Sequence, residues 1–191
     1  MPPDSTATKK RLLEAAFAEF AKHGLAGARV DRIGIEAAAN KRLIYLHFTN
    51  KEQLFDTVVT HSIARMSEAV PFTPDDLPGY AGTLFDHLIV HPEHLRLAVW
   101  EQLERPVVRP QEQEAYRAKV SAIARTQSLS TKLDPVDILA LILGLVTAWL
   151  SASPALRQLS KEDAFSPKRL ARQRAAVVAA VRAILRSAVT A

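Results

Sequence analysis

Residues 30–54 read VDRIGIEAAANKRLIYLHFTNKEQL, and this stretch decides how the rest of the sequence is interpreted. Apolar residues recur there at helical spacing, which predicts one short helix over residues 30–37 and another over residues 41–47. Each predicted helix has one apolar stripe that can pack against the other helix. The stripes are Val30, Ile33 and Ala37 in the first helix, and Ile44 and Phe48 in the second. Two short helices joined by a tight turn form a helix-turn-helix, whose second helix can enter the major groove of DNA.

The outer face of the second helix has residue types that suit DNA contact. Arg42, near the helix start, can donate two hydrogen bonds to guanine O6 and N7 and so select a base. We expect the other basic and aromatic members to bind phosphates, which fix the register without reading sequence. The expected DNA-binding residues in and just after this helix are Asn40, Lys41, Arg42, Tyr45, His47 and Lys51.

Plainer roles are open for single members of this set. Tyr45 can be a half-buried packing residue, His47 can cap the end of its helix, and Arg42 can be a solvated charge. DNA contact is favoured because the apolar periodicity and the polar face agree within one segment.

The segment before the helix-turn-helix predicts a first helix that stops at Gly24. Lys9, Lys10 and Arg11 fall in its expected first turn, where cations oppose the helix macrodipole. A nearby DNA phosphate would offset that cost. Alternatively the helix begins later, and the three side chains are simply solvated.

The remaining sequence predicts more helices and no clean strand. Asn50 and Gln53 form a capping pair that begins a helix reaching about residue 69. Prolines separate the later helical segments, which are 80–90, 93–103, 111–128, 136–152 and 168–189. We therefore expect an all-α protein, with a three-helix DNA-binding domain at 1–50 joined to a helical ligand-binding and dimerisation domain at 51–191.

Composition narrows the classes of function. The 191 residues are 48% hydrophobic, which allows a sizeable core, and they include no Cys, which excludes a disulfide framework and cysteine-ligated zinc. The longest apolar stretch, 138–150, is shorter than the ~20 residues that span a bilayer, and no signal pattern is found, so we expect a cytoplasmic protein with no membrane partner. The net charge of +5 is concentrated in residues 157–191, which have a balance of +6. Bulk charge is therefore not the evidence for DNA binding.

Several spaced elements also match one known family in register. They are RLLEAAFAEFAKHG at 11–24, VDRI at 30–33, EAA at 36–38, IYLHF at 44–48 and NKEQL at 50–54. Over residues 8–60 the sequence resembles the TetR family of bacterial transcriptional regulators. The resemblance implies a homodimeric repressor of a partly palindromic operator, with a ligand pocket and the dimer interface in the C-terminal helices. It also implies a phosphate contact for Arg29, where the family commonly has Thr or Ser.

Besides Arg29, three positions depart from the family pattern. Ala38 stands where the family usually has Gly, and a left-handed backbone would strain Ala by ~1–2 kcal/mol unless the turn is reshaped or continues as helix. Arg42 replaces a small Gly, and Leu43 replaces Thr. The operator preference should therefore differ from that of the family's usual sequences.

The segment 138–146 is apolar all round, which is typical of a helix buried on most sides. Paired with the small-residue stripe of the last helix, it predicts a four-helix bundle across a two-fold axis. Burial at the centre of a monomeric core is the alternative. The expected interface residues are Ile138, Ile142, Leu145, Ala175, Val178 and Val181.

Four aromatic residues are candidates for a pocket that binds a small hydrophobic inducer, although aromatics at helical spacing are more often ordinary core. They are Phe85, Trp100, Tyr116 and Trp149. We expect no cofactor and no metal site, because His91 and His94 flank Pro92 and no metal-ligand spacing is present.

Two other classes of protein compete with a DNA-binding regulator. A helical adaptor would use the basic C-terminal helix, with Lys168, Arg169, Arg172 and Arg174, on an acidic surface. An all-helical enzyme would need a nucleophile–base pair or a phosphate loop, and we find neither at a recognisable spacing.

Overall fold

The computed structural model describes residues 5–126 and 133–186, and every regular element in these ranges is helical. The all-α prediction is thereby confirmed, and none of the described helices is long and apolar enough to cross a membrane. A 3-10 turn, Pro74–Asp76, precedes the fifth helix. The helices are α1 Ser5–Gly27, α2 Val30–Glu36, α3 Lys41–His47, α4 Lys51–Ala69, α5 Leu77–Val90, α6 Pro92–Glu104, α7 Pro110–Thr126, α8 Pro135–Ser151, α9 Pro154–Gln158 and α10 Pro167–Arg186.

The helices form two compact units, and the division differs from the predicted boundary at residue 50. Unit 1 consists of the chain up to Glu68 together with His91–Glu112, and unit 2 of Ala69–Val90 together with the chain from Gln113 onward. The division does not fall at residue 50 because the apolar face of α4, with Leu54 and Phe55, lies in the same core as α1 to α3. Leu97 of α6 joins that core, which places α6 in unit 1.

The predicted stop at Gly24 is a kink in α1, with φ 67° and ψ −176°. This conformation is essentially restricted to glycine. A Cβ atom at Gly24 would lie 2.8 Å from the ring of Trp100 on α6. The turn after the kink is capped by Glu104, whose carboxylate accepts hydrogen bonds from the backbone N–H groups of Leu25 and Ala26. Gly24 and Glu104 therefore fix how α1 meets α6.

Ion pairs hold the segment after α6 against α4. Arg105 donates two hydrogen bonds to the carboxylate of Asp56, at 2.8 and 2.6 Å. The buried Arg109 pairs with the same carboxylate at 2.8 Å and with Glu101. The hydrogen bond from Arg105 holds the pKa of Asp56 below its ordinary value. An ionised Asp56 is thus part of the folded unit 1.

Unit 2 is built around α5, against which α8 and α10 both pack. Phe85 of α5 and Ile142 of α8 are among its fully buried side chains. Trp149 is also buried, and its indole N–H donates to the carbonyl oxygen of Ala164 at 3.0 Å. One apolar side of α8 and one of α10 are therefore covered within the chain itself.

Candidate nucleic-acid interface

The turn between α2 and α3 is a Schellman motif with Ala38 in the left-handed conformation, at φ 47°. The Ala38 N–H donates to Ile35 O at 3.1 Å, and the Ala39 N–H donates to Gly34 O at 2.9 Å. These are the two hydrogen bonds that define this helix ending, which usually has glycine at the position of Ala38. Of the open alternatives for this turn, the strained left-handed one is present.

The second helix of the motif begins at a side-chain cap. Asn40 Oδ1 accepts a hydrogen bond from the backbone N–H of Arg42 at 2.9 Å, so α3 starts at Lys41 and ends at His47. Ile33 and Ala37 of the first helix, and Ile44 and Phe48 of the second, are all buried as predicted. The buried stripes orient α3 so that its opposite side faces solvent.

The solvent side of α3 brings together several of the predicted DNA-binding residues. Arg42 is exposed, and Tyr45 is 48% exposed. Leu46, which the sequence interpretation missed, is 75% exposed beside them. Its position four residues after Arg42 could have revealed it, because residues at this spacing share one face of a helix. If this face of α3 meets DNA, an exposed leucine beside an exposed arginine can contact a thymine methyl group.

The ammonium group of Lys41 is paired in the free protein. It lies 2.8 Å from the carboxylate of Asp31 on α2, and the hydrogen bond with Asp31 raises the pKa of Lys41. Both side chains are largely solvent-exposed. His47, at the end of α3, is half-buried, with its ring 6.3 Å from that of Phe48.

Arg29 lies at the connection between α1 and α2, and the side chain of Lys51, the first residue of α4, reaches this connection. The Arg29 backbone N–H donates to Glu19 Oε1 at 2.8 Å, and its side chain is exposed. Lys51 donates to the carbonyl oxygens of Ala26 and Ala28, at 3.4 and 3.3 Å. Its ammonium therefore also stabilises the connection, in addition to the phosphate contact expected from the sequence.

The structure revises the interpretation of the cations in α1. Because α1 begins at Ser5, Lys9, Lys10 and Arg11 lie beyond its first turn. Arg11 is not simply solvated, since its Nε donates to the carbonyl oxygen of Ala37 at 3.3 Å. Arg11 thus ties α1 to the end of α2.

Three of the six predicted dimer-interface residues are buried within the single chain. Ile138, Ile142 and Val181 are each only 1% exposed within the single chain, because α5 covers them. Ala175 is exposed, and Leu145 and Val178 are half-buried. Any partner surface on α8 and α10 must therefore use the sides of these helices that face away from the core.

The four pocket candidates are divided between the two units. Trp100 belongs to unit 1, where it packs against Gly24. The other three belong to unit 2, in which Phe85 and Trp149 are buried and Tyr116 is exposed. Helical spacing alone could not show that the residue on α6 packs into a different core.

Four basic residues of α10 have partners within unit 2. Lys168 and Arg172 pair with Glu162 at 2.8 and 3.0 Å. Arg174 pairs with Asp86 of α5 at 2.7 Å, and the guanidinium of Arg169 lies 3.8 Å from the centre of the Trp149 ring. These four residues, on which the adaptor alternative depended, therefore already have partners within the chain. Among the described residues, no group of three or more His, Cys, Asp or Glu side chains could hold a metal ion.

Comparisons with known proteins agree with this architecture. Residues 12–58 match the family model described as bacterial regulatory proteins of the tetR family, and residues 76–183 match that of the tetracyclin repressor-like C-terminal domain. The HTH-type transcriptional repressor SCO4008 of Streptomyces coelicolor is 40% identical over 163 residues, which cover 82% of this chain and 84% of that relative. The HTH-type transcriptional repressor NicS of Pseudomonas putida is 32% identical over 105 residues, about half of each chain.

Solved structures extend the agreement to three dimensions. The crystal structure of the putative transcriptional regulator SCO4942 from Streptomyces coelicolor has a TM-score of 0.82 at 37% identity, covering 94% of this chain and 98% of that one. A TetR-like regulator from Rhodococcus has a TM-score of 0.66 at 18% identity, covering 92% and 94%, and shows the shared fold. These relatives favour neither the enzyme nor the adaptor alternative. The chain belongs to the tetR family of bacterial regulatory proteins, and it is a DNA-binding transcriptional repressor.

Proposed function

We propose that this repressor binds a partly palindromic operator as a homodimer, in the cytoplasm, and that a small hydrophobic inducer releases it. One observation carries the DNA-binding part of the proposal. Arg42 is exposed at the start of α3, beside Tyr45 and Leu46, and within residues 5–126 and 133–186 no ion pair engages its guanidinium. The group most able to select a base is therefore available to DNA.

The proposed roles of the surrounding residues follow from their contacts. Lys41 binds a phosphate in place of Asp31, with which it pairs in the free protein. Lys51 has three ammonium protons, so it can keep its two carbonyl contacts and still donate to a phosphate. Tyr45, His47 and Arg29 make the remaining contacts with the DNA backbone. Asn40 positions α3, because its side chain accepts the hydrogen bond from the backbone N–H of Arg42.

Operator binding can be tested by fluorescence anisotropy with DNA from upstream of the protein's own gene, over a series of salt concentrations. Specific binding should weaken steeply with salt, because each neutralised phosphate releases counterions. Arg42→Ala should lose the preference for operator over unrelated DNA, whereas Lys51→Ala should weaken both alike. Lys22→Ala, an exposed lysine on α1, is the control and should change neither. Equal behaviour of the Arg42 and Lys51 variants would contradict the division of roles.

The dimer proposal rests on the exposed sides of α8 and α10. Leu141 of α8 is 43% exposed, and Ala175 and Ala179 of α10 are exposed one turn apart. Apolar and small side chains in this position allow two pairs of helices to approach closely across a two-fold axis. Ala175→Arg should give a monomer in analytical ultracentrifugation, and Ala64→Arg on the exposed side of α4 should leave the dimer intact. A monomeric wild-type protein would contradict the proposal.

The inducer proposal rests on the resemblance of the C-terminal helices and on the aromatic residues of unit 2. Phe85 and Trp149 are its buried aromatic candidates. A screen of hydrophobic compounds by thermal shift should find ligands that raise the melting temperature and lower operator affinity. A screen in which no compound does both would contradict this part of the proposal.

A further inference from the structure

A cavity of about 390 Å³ lies within unit 1, and its lining residues come from α1, α4 and α6. This volume falls within the range of about 300–1,000 Å³ that is usual for small-molecule sites. The cavity is separate from the candidate aromatic residues of unit 2, and none of its lining residues belongs to α2 or α3. It is therefore neither the inducer pocket proposed above nor part of the DNA-reading surface.

The inner wall of the cavity is apolar and well ordered by its contacts. Leu13, Phe17 and Val58 supply apolar surface, and Val58 is almost completely buried. The hydroxyl group of the buried Ser62 lies 2.7 Å from Nδ1 of His94, whose ring packs on Phe17 with 5.1 Å between ring centroids. Such a wall accommodates the apolar body of a ligand without rearrangement.

The charged groups that line the cavity are mostly cationic. Lys9, Lys10 and Arg65 face it, and Glu14 is the one carboxylate among its lining residues, which leaves an excess of two positive charges. Within the described ranges, no ion pair engages any of the three cations. Cations without carboxylate partners beside an apolar wall are complementary to an anion that has an apolar body.

We propose that this cavity binds a small organic carboxylate, with its carboxylate group at Lys9, Lys10 and Arg65 and its apolar body against Leu13, Phe17 and Val58. The ligand contacts three helices at once and stabilises their packing. Since α1 also packs against α2, occupancy of the cavity acts on the element that supports the DNA-reading helix.

Isothermal titration calorimetry of the full chain without DNA tests the proposed ligand class. Phenylacetate is the probe, phenylacetamide is its neutral counterpart, and acetate is the same anion without the ring. Phenylacetate should bind once per chain and about tenfold more tightly than either control, because the site needs both the charge and the apolar body. Equal affinity for phenylacetate and phenylacetamide, or no measurable binding, would overturn the proposal. Neither result depends on operator binding.

Variants locate the binding site. Lys10→Gln and Arg65→Gln should each weaken phenylacetate binding several-fold, whereas Glu14→Gln should strengthen it, since a like charge is removed from beside the carboxylate. A variant that merely failed to fold could not tighten binding, so the gain in Glu14→Gln separates charge from stability. Lys22→Gln, on the same helix but outside the cavity lining, is the matched control and should leave the affinity unchanged. Unchanged affinity in all three lining variants would refute the assignment.

Discussion

Replacing Ala38 by Gly should stabilise the protein, although Gly normally destabilises a helical segment. Ala38 has φ 47° and is exposed, so removal of its methyl group relieves strain and gives up no packing. The left-handed conformation costs an L-residue ~1–2 kcal/mol. Gly raises the conformational entropy of the unfolded chain, which offsets about 0.4–1 kcal/mol of that relief. We therefore expect Ala38→Gly to raise the free energy of unfolding by about 0.5–1 kcal/mol.

Ala64→Gly is the matched control, because the same chemical change is made at an exposed position inside α4. There the backbone is helical, and Gly should lower the free energy of unfolding by about 1 kcal/mol. Urea unfolding, followed by circular dichroism, measures both variants in the same unit. Operator affinity of Ala38→Gly should not change, because backbone groups make the hydrogen bonds of the turn. The left-handed turn would be refuted by an Ala38→Gly variant that loses stability as Ala64→Gly does.

Three further predictions concern charged side chains. Asp31→Asn should tighten DNA binding about twofold to fivefold in anisotropy titrations, because it frees Lys41 and removes a negative charge beside α3. Unchanged affinity would contradict a phosphate contact by Lys41. Glu104→Ala should lower the free energy of unfolding by about 1 kcal/mol, because the cap after Gly24 is lost. Thermal melts measure the effect, and Gln102→Ala, at an exposed position on the same helix, is the control. Because the pKa of Asp56 is lowered in the folded protein, its ionised form stabilises the protein at neutral pH, and this contribution is lost as the pH falls below about 4. Unfolding midpoints measured against pH should therefore decline less steeply in acid for Asp56→Asn than for the wild type, and parallel curves would argue against the role of this carboxylate.

The helix-turn-helix could be predicted from the sequence because its determinants are local. Asn40 caps α3, and the stripe from Ile33 to Phe48 packs the two helices, all within twenty residues. The sequence showed that Ala38 replaces the usual Gly, but it could not show the backbone conformation at this position. A strained left-handed turn was therefore only one of the alternatives that the sequence left open. Local patterns were sufficient wherever the partner of a residue was close in sequence.

Local patterns could not identify a contact whose partner is distant in sequence. The periodicity of residues 138–150 correctly indicated a buried helix, but it could not show that α5 of the same chain covers Ile138 and Ile142. Trp100 is a comparable case, because its contact with Gly24 spans more than seventy residues. The hydrogen bonds from Lys51 to the carbonyl oxygens of Ala26 and Ala28 are a third case, because these residues lie over twenty positions earlier in the sequence.

The placement of α6 matters for anyone who builds hybrid repressors. The chain passes between the two units after Glu68, after Val90 and after Glu112, so neither unit is one continuous piece of sequence. A hybrid with a single junction after Glu68 would combine the first 68 residues of this protein with α6 of another repressor. The other protein would then supply the residue that packs against Gly24 and the group that caps Leu25. A functional hybrid therefore needs three junctions, one at each of these crossings. Exchange of the C-terminal unit of this protein therefore requires matched segments at all three crossings.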